Sequence, residues 1–486
     1  MEWNKLLALN TQVVREEEPR DFEKYPISDL ETDYKAIISS AAFRRLQDKT
    51  QVFPLDKSDF VRTRLTHSIE VSTIARQLGI MITRNTSQYL QEDFKNNSKY
   101  TDEIPVVLSC AGLLHDLGNP PFGHFGEVVI GEWFKKEFKN TNFKFKGKPV
   151  AKVLQEQMKK DLENFEGNAQ ALRILSKVKN KEEGYDVNLT YGVLNTLIKY
   201  PTNSIDFDAE SEDIKKHKPG YFYAERNTME YICMITGTKN KNEYVRHPLV
   251  YLMEAADDIA YATADLEDAV KKGLFSLNQF IDYFNRAIND ITNLSHKKYT
   301  QELISDLEKR LEGSDRSTEG DLVAFQKWME YVRKWLMYIV SYRFSKSYDD
   351  IMSGAFKQDM FYETNHQESI KILKGAMKEF VYDNKEILKL ELSARKIITA
   401  LLDDFIYAVL YWDAESSVEG EEYRISKADK KLINIISANY KEDYRCAKTD
   451  NEAENLYLRF LMVTDYISGM TDSYAKNLYQ ELNGLK

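Results

Sequence analysis

Residues 104–121 read IPVVLSCAGLLHDLGNPP, and this stretch decides the fold at the centre of the chain. Its opening residues are apolar or small on nearly every side, which predicts a helix buried in the protein interior. The helix is expected to end at Gly118, because the two prolines that follow cannot continue it. His115 and Asp116 then lie in its last turn, where unpaired buried charge costs several kcal/mol. A shared cation is the economical partner, and an ion pair at a helix end is the alternative.

A second helix carries another inward histidine. In RTRLTHSIEVSTIARQLG, residues 62–79, apolar side chains follow His67 at helical spacing: Val71, Ile74 and Leu78. This stripe predicts that His67 points into the core. A histidine on an apolar face is more often a hydrogen-bonded core residue than a ligand, so both interpretations stay open here.

A third helix is predicted over PLVYLMEAADDIAYATADLEDAV, residues 248–270, where several alanines allow close packing. Asp257, Tyr261 and Asp265 recur every four residues and therefore share one face. Two carboxylates and a phenol on a close-packed face indicate a site. The remaining acidic residues of the segment are interpreted as a solvated face or as surface ion pairs: Asp258, Glu267 and Asp268.

The three helices together offer two imidazoles and two carboxylates, from His67, His115, Asp116 and Asp257. This mixture suits Mn, Fe, Co, Ni or Zn, or Mg with several waters, and the lack of thiolates argues against a structural zinc. We expect a divalent metal ion, and these residues leave the choice among Mn, Mg, Fe, Co, Ni and Zn open.

The rest of the chain predicts a predominantly all-α protein. Only 10 prolines and 20 glycines interrupt its 486 residues, and residues 328–346, 367–381 and 384–410 show helical spacing. Minor short strands are expected around 51–54 and 219–223. A motif-rich region 1–271 and a helical region 272–486 are predicted, although the two could form one domain.

Charge and hydropathy exclude several classes of protein. The formal net charge of −10 gives no global basic field for nucleic acid, so a polyanionic ligand must be held by local cations or metal. No apolar run approaches the roughly 20 residues that span a bilayer, and no signal peptide is apparent. A cytoplasmic protein is expected.

The pattern H…HD…D, together with longer strings, resembles one family. The strings are similar to those of the bacterial deoxyguanosine triphosphate triphosphohydrolases of the HD-domain phosphohydrolases: RTRLTHSIEV, HDLGNPPFGHFGE, FEGNAQALRIL, MEAADDIAYATADLEDAV and DYISGMTDSYA. These blocks lie between about residue 43 and residue 270 and again at 465–475. The resemblance implies an HD-domain helical fold and hydrolysis of a deoxynucleoside triphosphate to deoxynucleoside and tripolyphosphate, with dGTP as the substrate on the overall likeness to the dGTP-preferring members.

The resemblance also implies roles for individual residues. His67, His115, Asp116 and Asp257 would bind the metal, and His124, oriented by Glu127 three residues later, would donate a proton to O5′. Arg64 and Lys199 match phosphate-binding residues, and Asn168 matches a polar active-site residue. Tyr261 would exclude a ribose 2′-hydroxyl, while Asp265 and Gln51 match residues that bond the 3′-hydroxyl. The residues that read guanine are not placed.

Alternatives remain at this point. The resemblance implies a homo-oligomer, a hexamer for chains of this length, and in some members a response to single-stranded DNA or to a nucleotide at a second site. An HD site acting on another nucleotide phosphoester, a broad dNTPase, and a catalytically silent nucleotide- or DNA-binding regulator are the other hypotheses.

Overall fold

A computed structural model describes most of the chain. The described residues are 1–12, 28–53, 55, 58–84, 91–94, 97–177, 187–241, 243–315, 317–382, 384–414, 417–418, 421–422 and 425–485. They are predominantly helical, which confirms the expected fold class. No described helix combines the length and the apolar composition needed to cross a membrane.

The described part of the chain is built mainly from α-helices. The α-helices are Trp3–Leu6, Asp29–Ser39, Ala41–Arg44, Arg64–Thr83, Gln91–Phe94, Ser98–Leu114, Gly123–Glu137, Val150–Val153, Glu156–Glu163, Gly167–Ser176, Tyr191–Leu197, Arg226–Thr236, Pro248–Ala260, Leu266–Lys271, Leu277–Asp290, Leu294–Glu312, Thr318–Lys346, Tyr348–Ser353, Gln367–Met377, Lys385–Val409, Lys427–Ile435, Ala438–Ala447, Glu452–Ser468 and Asp472–Leu482. Short 3₁₀-helices are Arg45–Asp48, Ile214–Lys216 and Tyr223–Glu225. Two π-helical turns are Tyr261–Asp265 and Lys378–Tyr382.

Strands are confined to two-residue antiparallel pairs. They are Lys144–Phe145 with Lys148–Pro149, Lys239–Asn240 with Glu243–Tyr244, and Ser417–Val418 with Glu421–Glu422. The predicted strands at 51–54 and 219–223 are wrong for the residues described there. Thr50 makes one isolated antiparallel bridge with Thr63 instead, because it lies beside the start of the next helix rather than in a hairpin.

Two helices cross closely to form the centre of the fold. A Cβ atom added to Gly112 of helix Ser98–Leu114 would lie 2.6 Å from the Cα atom of Ser72 in helix Arg64–Thr83. Glycine is therefore required at this contact, since no side chain fits between the two backbones. The close approach brings the rings of His67 and His115 to a centroid separation of 5.4 Å.

The central helix ends earlier than predicted. Helix Ser98–Leu114 has His115 as its C-cap, and residues 115–118 form turns, so the α-helix stops four residues before the predicted Gly118. Pro120 and Pro121 do not by themselves set the end of the helix. The turns at residues 115–118 end it before the prolines are reached. His115 and Asp116 accordingly project from the end of the helix into the interior.

The interior contains two hydrophobic clusters. One includes buried residues of the helices at 64–83, 98–114, 248–260 and 318–346. The other includes buried residues of the helices at 123–137, 385–409 and 452–468. The segment 115–122 passes from the first cluster to the second, and so lies where the two meet. Each cluster contains buried residues from region 1–271 and from region 272–486. The division at residue 271 stays a prediction.

Candidate active site

Three ligand-type side chains converge at the crossing of the buried helices. Nε2 of His67 lies 3.2 Å from Oδ1 of Asp257, and Nε2 of His115 lies 3.4 Å from the same oxygen. One ligand atom from each of the three residues lies within 4.8 Å of the others. Both histidines are buried, and Asp257 is open to a cavity. The geometry fits a single cation that the three side chains share.

The hydrogen bonding of His115 provides a test of that fit. Its Nδ1 lies 2.8 Å from the carbonyl oxygen of Gly112, which can only accept, so Nδ1 carries a proton. Nε2 has no hydrogen-bond partner among the described residues and faces Oδ2 of Asp116 and Oδ1 of Asp257, each at 3.4 Å. Burial alone would lower the pKa of His115, but the two carboxylates raise it to about 10. Positive charge at Nε2 is therefore favoured, as a proton or as a metal ion.

Asp116 is held from two sides. Nη1 of Arg64 donates to its Oδ2 at 2.6 Å, and Nδ2 of Asn119 donates to its Oδ1 at 2.6 Å. Burial opposes ionisation, but Arg64 and His115 hold the pKa of Asp116 well below its usual range. The structure thus brings the fourth predicted ligand to the same place, as an oriented carboxylate.

Asp257 has an equivalent cationic neighbour. Nζ of Lys199 donates to its Oδ2 at 2.8 Å, which leaves Oδ1 toward the histidines. Despite burial, Lys199 and His115 hold the pKa of Asp257 well below its usual range. Both carboxylates are therefore ionised at neutral pH, the form in which they bind metal.

His124 and Glu127 form the predicted pair at the start of helix Gly123–Glu137. Nδ1 of His124 lies 2.9 Å from Oε2 of Glu127, and Oε1 of Glu127 accepts the backbone N–H of Gly167 at 3.0 Å. The carboxylate charge raises the pKa of His124. Burial raises the pKa of Glu127, but His124 brings it below its ordinary value. The Nε2 edge of His124 is left for another partner.

Asp116, Asp257 and His124 open onto one cavity of ≈ 440 Å³. This size is in the range of small-molecule sites. The lining residues are Gln51, Arg64, Asp116, His124, Asp257, Asp258, Tyr261, Lys374 and Tyr382.

Comparison with known proteins shows which families of proteins this chain is similar to. Residues 64–208 match the HD domain, and residues 361–481 match the phosphohydrolase-associated domain. A deoxyguanosinetriphosphate triphosphohydrolase-like protein of Listeria innocua is 43% identical over the full length of both chains. The deoxyguanosinetriphosphate triphosphohydrolase of Yersinia enterocolitica is 31% identical over 95% of each chain, and that of Yersinia pestis is 32% identical over 95% of each chain.

The chain belongs to the deoxyguanosinetriphosphate triphosphohydrolase family of HD-domain phosphohydrolases. Membership makes it a hydrolase and implies a divalent metal ion, with which the His67, His115 and Asp257 cluster is compatible.

Two of the three predicted sugar-contacting residues, Tyr261 and Asp265, lie at the ends of a π-helical turn. Residues Tyr261–Asp265 form the turn within the predicted long helix, and such turns often occur at functional sites. Tyr261 lines the cavity. Asp265 is 1% exposed, and neither of its carboxylate oxygens has a hydrogen-bond partner among the described residues. Burial raises its pKa to about 7. Oε1 of Gln51 is likewise buried and unpartnered.

Asn168 differs from the other predicted site residues. Its Nδ2 donates to Oε1 of Glu166 at 2.6 Å, and it is not among the residues that line the cavity. Its neighbour Gly167 supports the His124–Glu127 pair through the backbone contact with Glu127. A direct role for the Asn168 side chain stays a prediction.

The interpretation of three acidic residues as a solvated face or as surface ion pairs is wrong. Asp258 lines the cavity and pairs with Nζ of Lys374 at 2.6 Å. Asp268 is 2% exposed and, with the partly buried Glu267, pairs with Arg62. These carboxylates pair with cationic side chains from distant segments, and helical spacing within residues 248–270 does not indicate such partners.

Sequence reasoning also missed two cavity residues from the second half of the chain. Lys374 and Tyr382 lie in helix Gln367–Met377 and in the π-helical turn that follows it. No local motif marks them. An apolar stripe at 367–381 predicts the helix but does not show that its polar edge faces the HD residues.

Proposed function

We propose that the chain is a divalent-metal-dependent hydrolase that splits a deoxynucleoside triphosphate into deoxynucleoside and tripolyphosphate. The proposed preferred substrate is dGTP. The observation that carries the proposal is that Asp257 of the His67, His115 and Asp257 cluster and His124 of the His124–Glu127 pair line the same cavity. The names of the Yersinia relatives support dGTP as the substrate.

The metal site would consist of His67, His115, Asp116 and Asp257. A bound divalent ion, Mn²⁺ or Mg²⁺ in this proposal, supplies an activated water and neutralises charge at the α-phosphate. The unpartnered Nε2 of His115 and the two ionised carboxylates around it support this assignment.

His124 is the proposed general acid. The carboxylate of Glu127 raises its pKa, so that the imidazolium is more populated at neutral pH and Nε2–H can protonate the departing O5′. Because Glu127 also accepts the Gly167 N–H, the acceptor on Nδ1 is itself fixed. The ring is thereby held with its Nε2 edge free for the substrate.

Three cations are proposed to bind the phosphates: Arg64 and Lys374, which line the cavity, and Lys199, which contacts the cavity residue Asp257. Each is paired with an acidic residue of the site. Nε of Arg64 is buried and has no partner among the described residues, so it retains a donor for a phosphate oxygen. Asn168 is proposed as a further polar contact on the resemblance alone.

Tyr261, Gln51 and Asp265 are proposed to select the deoxyribose. The Tyr261 ring would occupy the position of a 2′-hydroxyl, and Gln51 and Asp265 would bond the 3′-hydroxyl. The unpartnered oxygens of Gln51 and Asp265 support this role, since buried acceptors without donors are otherwise unfavourable.

The proposal extends to features that rest on the resemblance alone: a cytoplasmic homo-oligomer, a hexamer, that responds to single-stranded DNA or to a nucleotide at a second site. A broad dNTPase differs only in base selection. Another phosphoester substrate would make Asp265 dispensable, and a silent regulator would bind nucleotide or DNA without turnover.

A product assay tests the proposal. The four dNTPs and GTP are incubated with the protein and Mn²⁺, Mg²⁺ or another divalent ion, and products are separated by ion-exchange chromatography. Deoxyguanosine with tripolyphosphate is the expected result, and dGMP with pyrophosphate would refute the mechanism. Asp265→Ala should reduce dGTP turnover, and unchanged turnover would favour another phosphoester. Inactivity with every nucleotide and metal, together with tight DNA binding, would favour the regulator.

A further inference from the structure

Asp472 connects the C-terminal region to two segments of the candidate active site. It is 2% exposed and begins helix Asp472–Leu482, within the string DYISGMTDSYA that no catalytic role explains. Its Oδ1 accepts the backbone N–H of Phe122 at 2.9 Å. Its Oδ2 accepts the backbone N–H of Thr50 at 2.9 Å and also the Thr50 hydroxyl. All three donors come from segments more than 340 residues away in the sequence.

The first segment leads directly into the His124 helix. Phe122 is the N-cap of helix Gly123–Glu137 and has φ 63°, ψ 18°, a left-handed conformation that is unfavourable for a residue with a bulky side chain. Gly123 also has a positive φ of 64°, and a Cβ there would lie 2.4 Å from Nη2 of Arg64. The chain therefore makes a strained turn two residues before His124, and the Asp472 carboxylate holds its N–H.

The second segment carries Gln51. Thr50 precedes Gln51, bridges to Thr63, and follows Lys49, whose carbonyl oxygen accepts the N–H of Arg64 at 3.0 Å. The position of this segment thus determines the position of the Gln51 side chain and of the start of the Arg64 helix. One carboxylate fixes both segments relative to each other.

We propose that Asp472 is a positioning residue for the reaction, which holds the Phe122 and Thr50 backbones so that His124 and Gln51 are set against the same substrate. The inference rests on the proposed function for its kinetic consequence. Its structural consequence is the geometry of the His124–Glu127 contact, which can be tested in the absence of nucleotide. Asp472 itself touches neither substrate nor reacting atoms.

The chain offers a matched control. Asp33 is fully buried and accepts the Thr190 N–H at 3.1 Å and the Thr190 hydroxyl at 2.7 Å, the same chemistry as the contact with Thr50. It does not line the cavity. Asp33→Asn and Asp472→Asn each replace an accepting oxygen by an NH₂ group, so both remove a hydrogen bond from a buried threonine or backbone N–H.

The experiment compares the full chain with Asp472→Asn and Asp33→Asn. We expect kcat for dGTP to fall about 10- to 100-fold in Asp472→Asn, the cost of a misplaced catalytic group, and to stay unchanged in Asp33→Asn. In nucleotide-free protein, the pKa of His124 followed by NMR, with His124→Asn to assign its signal, should fall only in Asp472→Asn. Equal loss of thermal stability in both variants, with kcat and the His124 pKa unchanged in both, overturns the proposal.

A milder pair keeps the inference testable if Asp472→Asn does not fold. Thr50→Val removes the hydroxyl donor, and Thr50→Ser retains it. We expect a KM for dGTP about 3- to 10-fold higher in Thr50→Val than in Thr50→Ser, as for the loss of one hydrogen bond. Equal KM values overturn the proposal. A wild-type protein without dGTP turnover would refute the proposed function, whereas the NMR comparison would still test the positioning role.

Discussion

Replacing Glu127 with glutamine isolates the charge that serves the proposed acid. The variant has nearly the same shape, and its amide oxygen can still accept the Gly167 N–H that Oε1 accepts at 3.0 Å. With the amide oxygen on the Gly167 N–H, the atom 2.9 Å from Nδ1 of His124 becomes an NH₂ donor. The contact that raises the pKa of His124 is thereby lost, while the backbone around it keeps its support.

The size of the effect follows from the role. General acid catalysis contributes about 10²- to 10⁴-fold, which corresponds to about 2.7 to 5.4 kcal/mol of transition-state stabilisation. Since His124 remains in Glu127→Gln, we expect the lower limit, about 10²-fold in kcat, and up to about 10⁴-fold in His124→Ala. Neither residue belongs to the ligand cluster, so metal content should stay at the wild-type value.

The assay is steady-state release of deoxyguanosine, with metal content measured on the same samples by mass spectrometry. Glu137→Gln is the control, because Glu137 is a buried carboxylate on the same helix that bonds Asn140 and Tyr407 away from the cavity. Wild-type turnover in Glu127→Gln would refute the acid assignment. Loss of metal in His124→Ala would reassign His124 as a ligand.

Four further predictions test other parts of the site. Asp257→Asn should remove most of the bound metal and nearly all turnover, and retained metal after dialysis would contradict the ligand set. Turnover should fall as pH rises through the raised pKa of His124, because the acid must be protonated; the midpoint of this fall should lie at lower pH in Glu127→Gln, and an unchanged midpoint would exclude this. Tyr261→Ala should narrow the preference for dGTP over GTP by about 10-fold or more, and an unchanged ratio would exclude steric selection. Gly123→Ala should destabilise the fold by about 1 kcal/mol or more and raise KM, since its Cβ would meet Arg64 at 2.4 Å; an unchanged melting temperature would contradict that contact.

Helical periodicity was sufficient to predict how the central histidines are oriented. His67 lies on a helix whose apolar stripe identifies the buried side, and His115 follows a helix that is apolar on nearly every side, so both were expected to be buried, and they are. The spacing of Asp257 and Tyr261 placed them on one face, and both line the cavity. These predictions succeed because they depend on geometry within one helix.

Features that depend on distant contacts could not be predicted in the same way. The left-handed Phe122 precedes a glycine but carries no marker of its own, since its N–H partner is Asp472, 350 positions later. The sequence predicts that Asp258 is a solvent-facing acid. In the structure, the helix Gln367–Met377 packs nearby and brings Lys374 into an ion pair with it. Only the pairing of such segments in three dimensions reveals which polar residues are inside.

The local charges also explain how an acidic chain can bind a polyphosphate. Arg64 and Lys199 are each paired with a carboxylate of the proposed metal site, at 2.6 Å and 2.8 Å. Each cation therefore keeps its carboxylate ionised, and each carboxylate offsets the cost of burying its cation. Neither partner would be stable alone in this interior, which is why the cationic and acidic residues occur as pairs. A net charge of −10 for the whole chain is compatible with anion binding because the attractive groups are concentrated within one cavity and shielded from the remaining acidic surface.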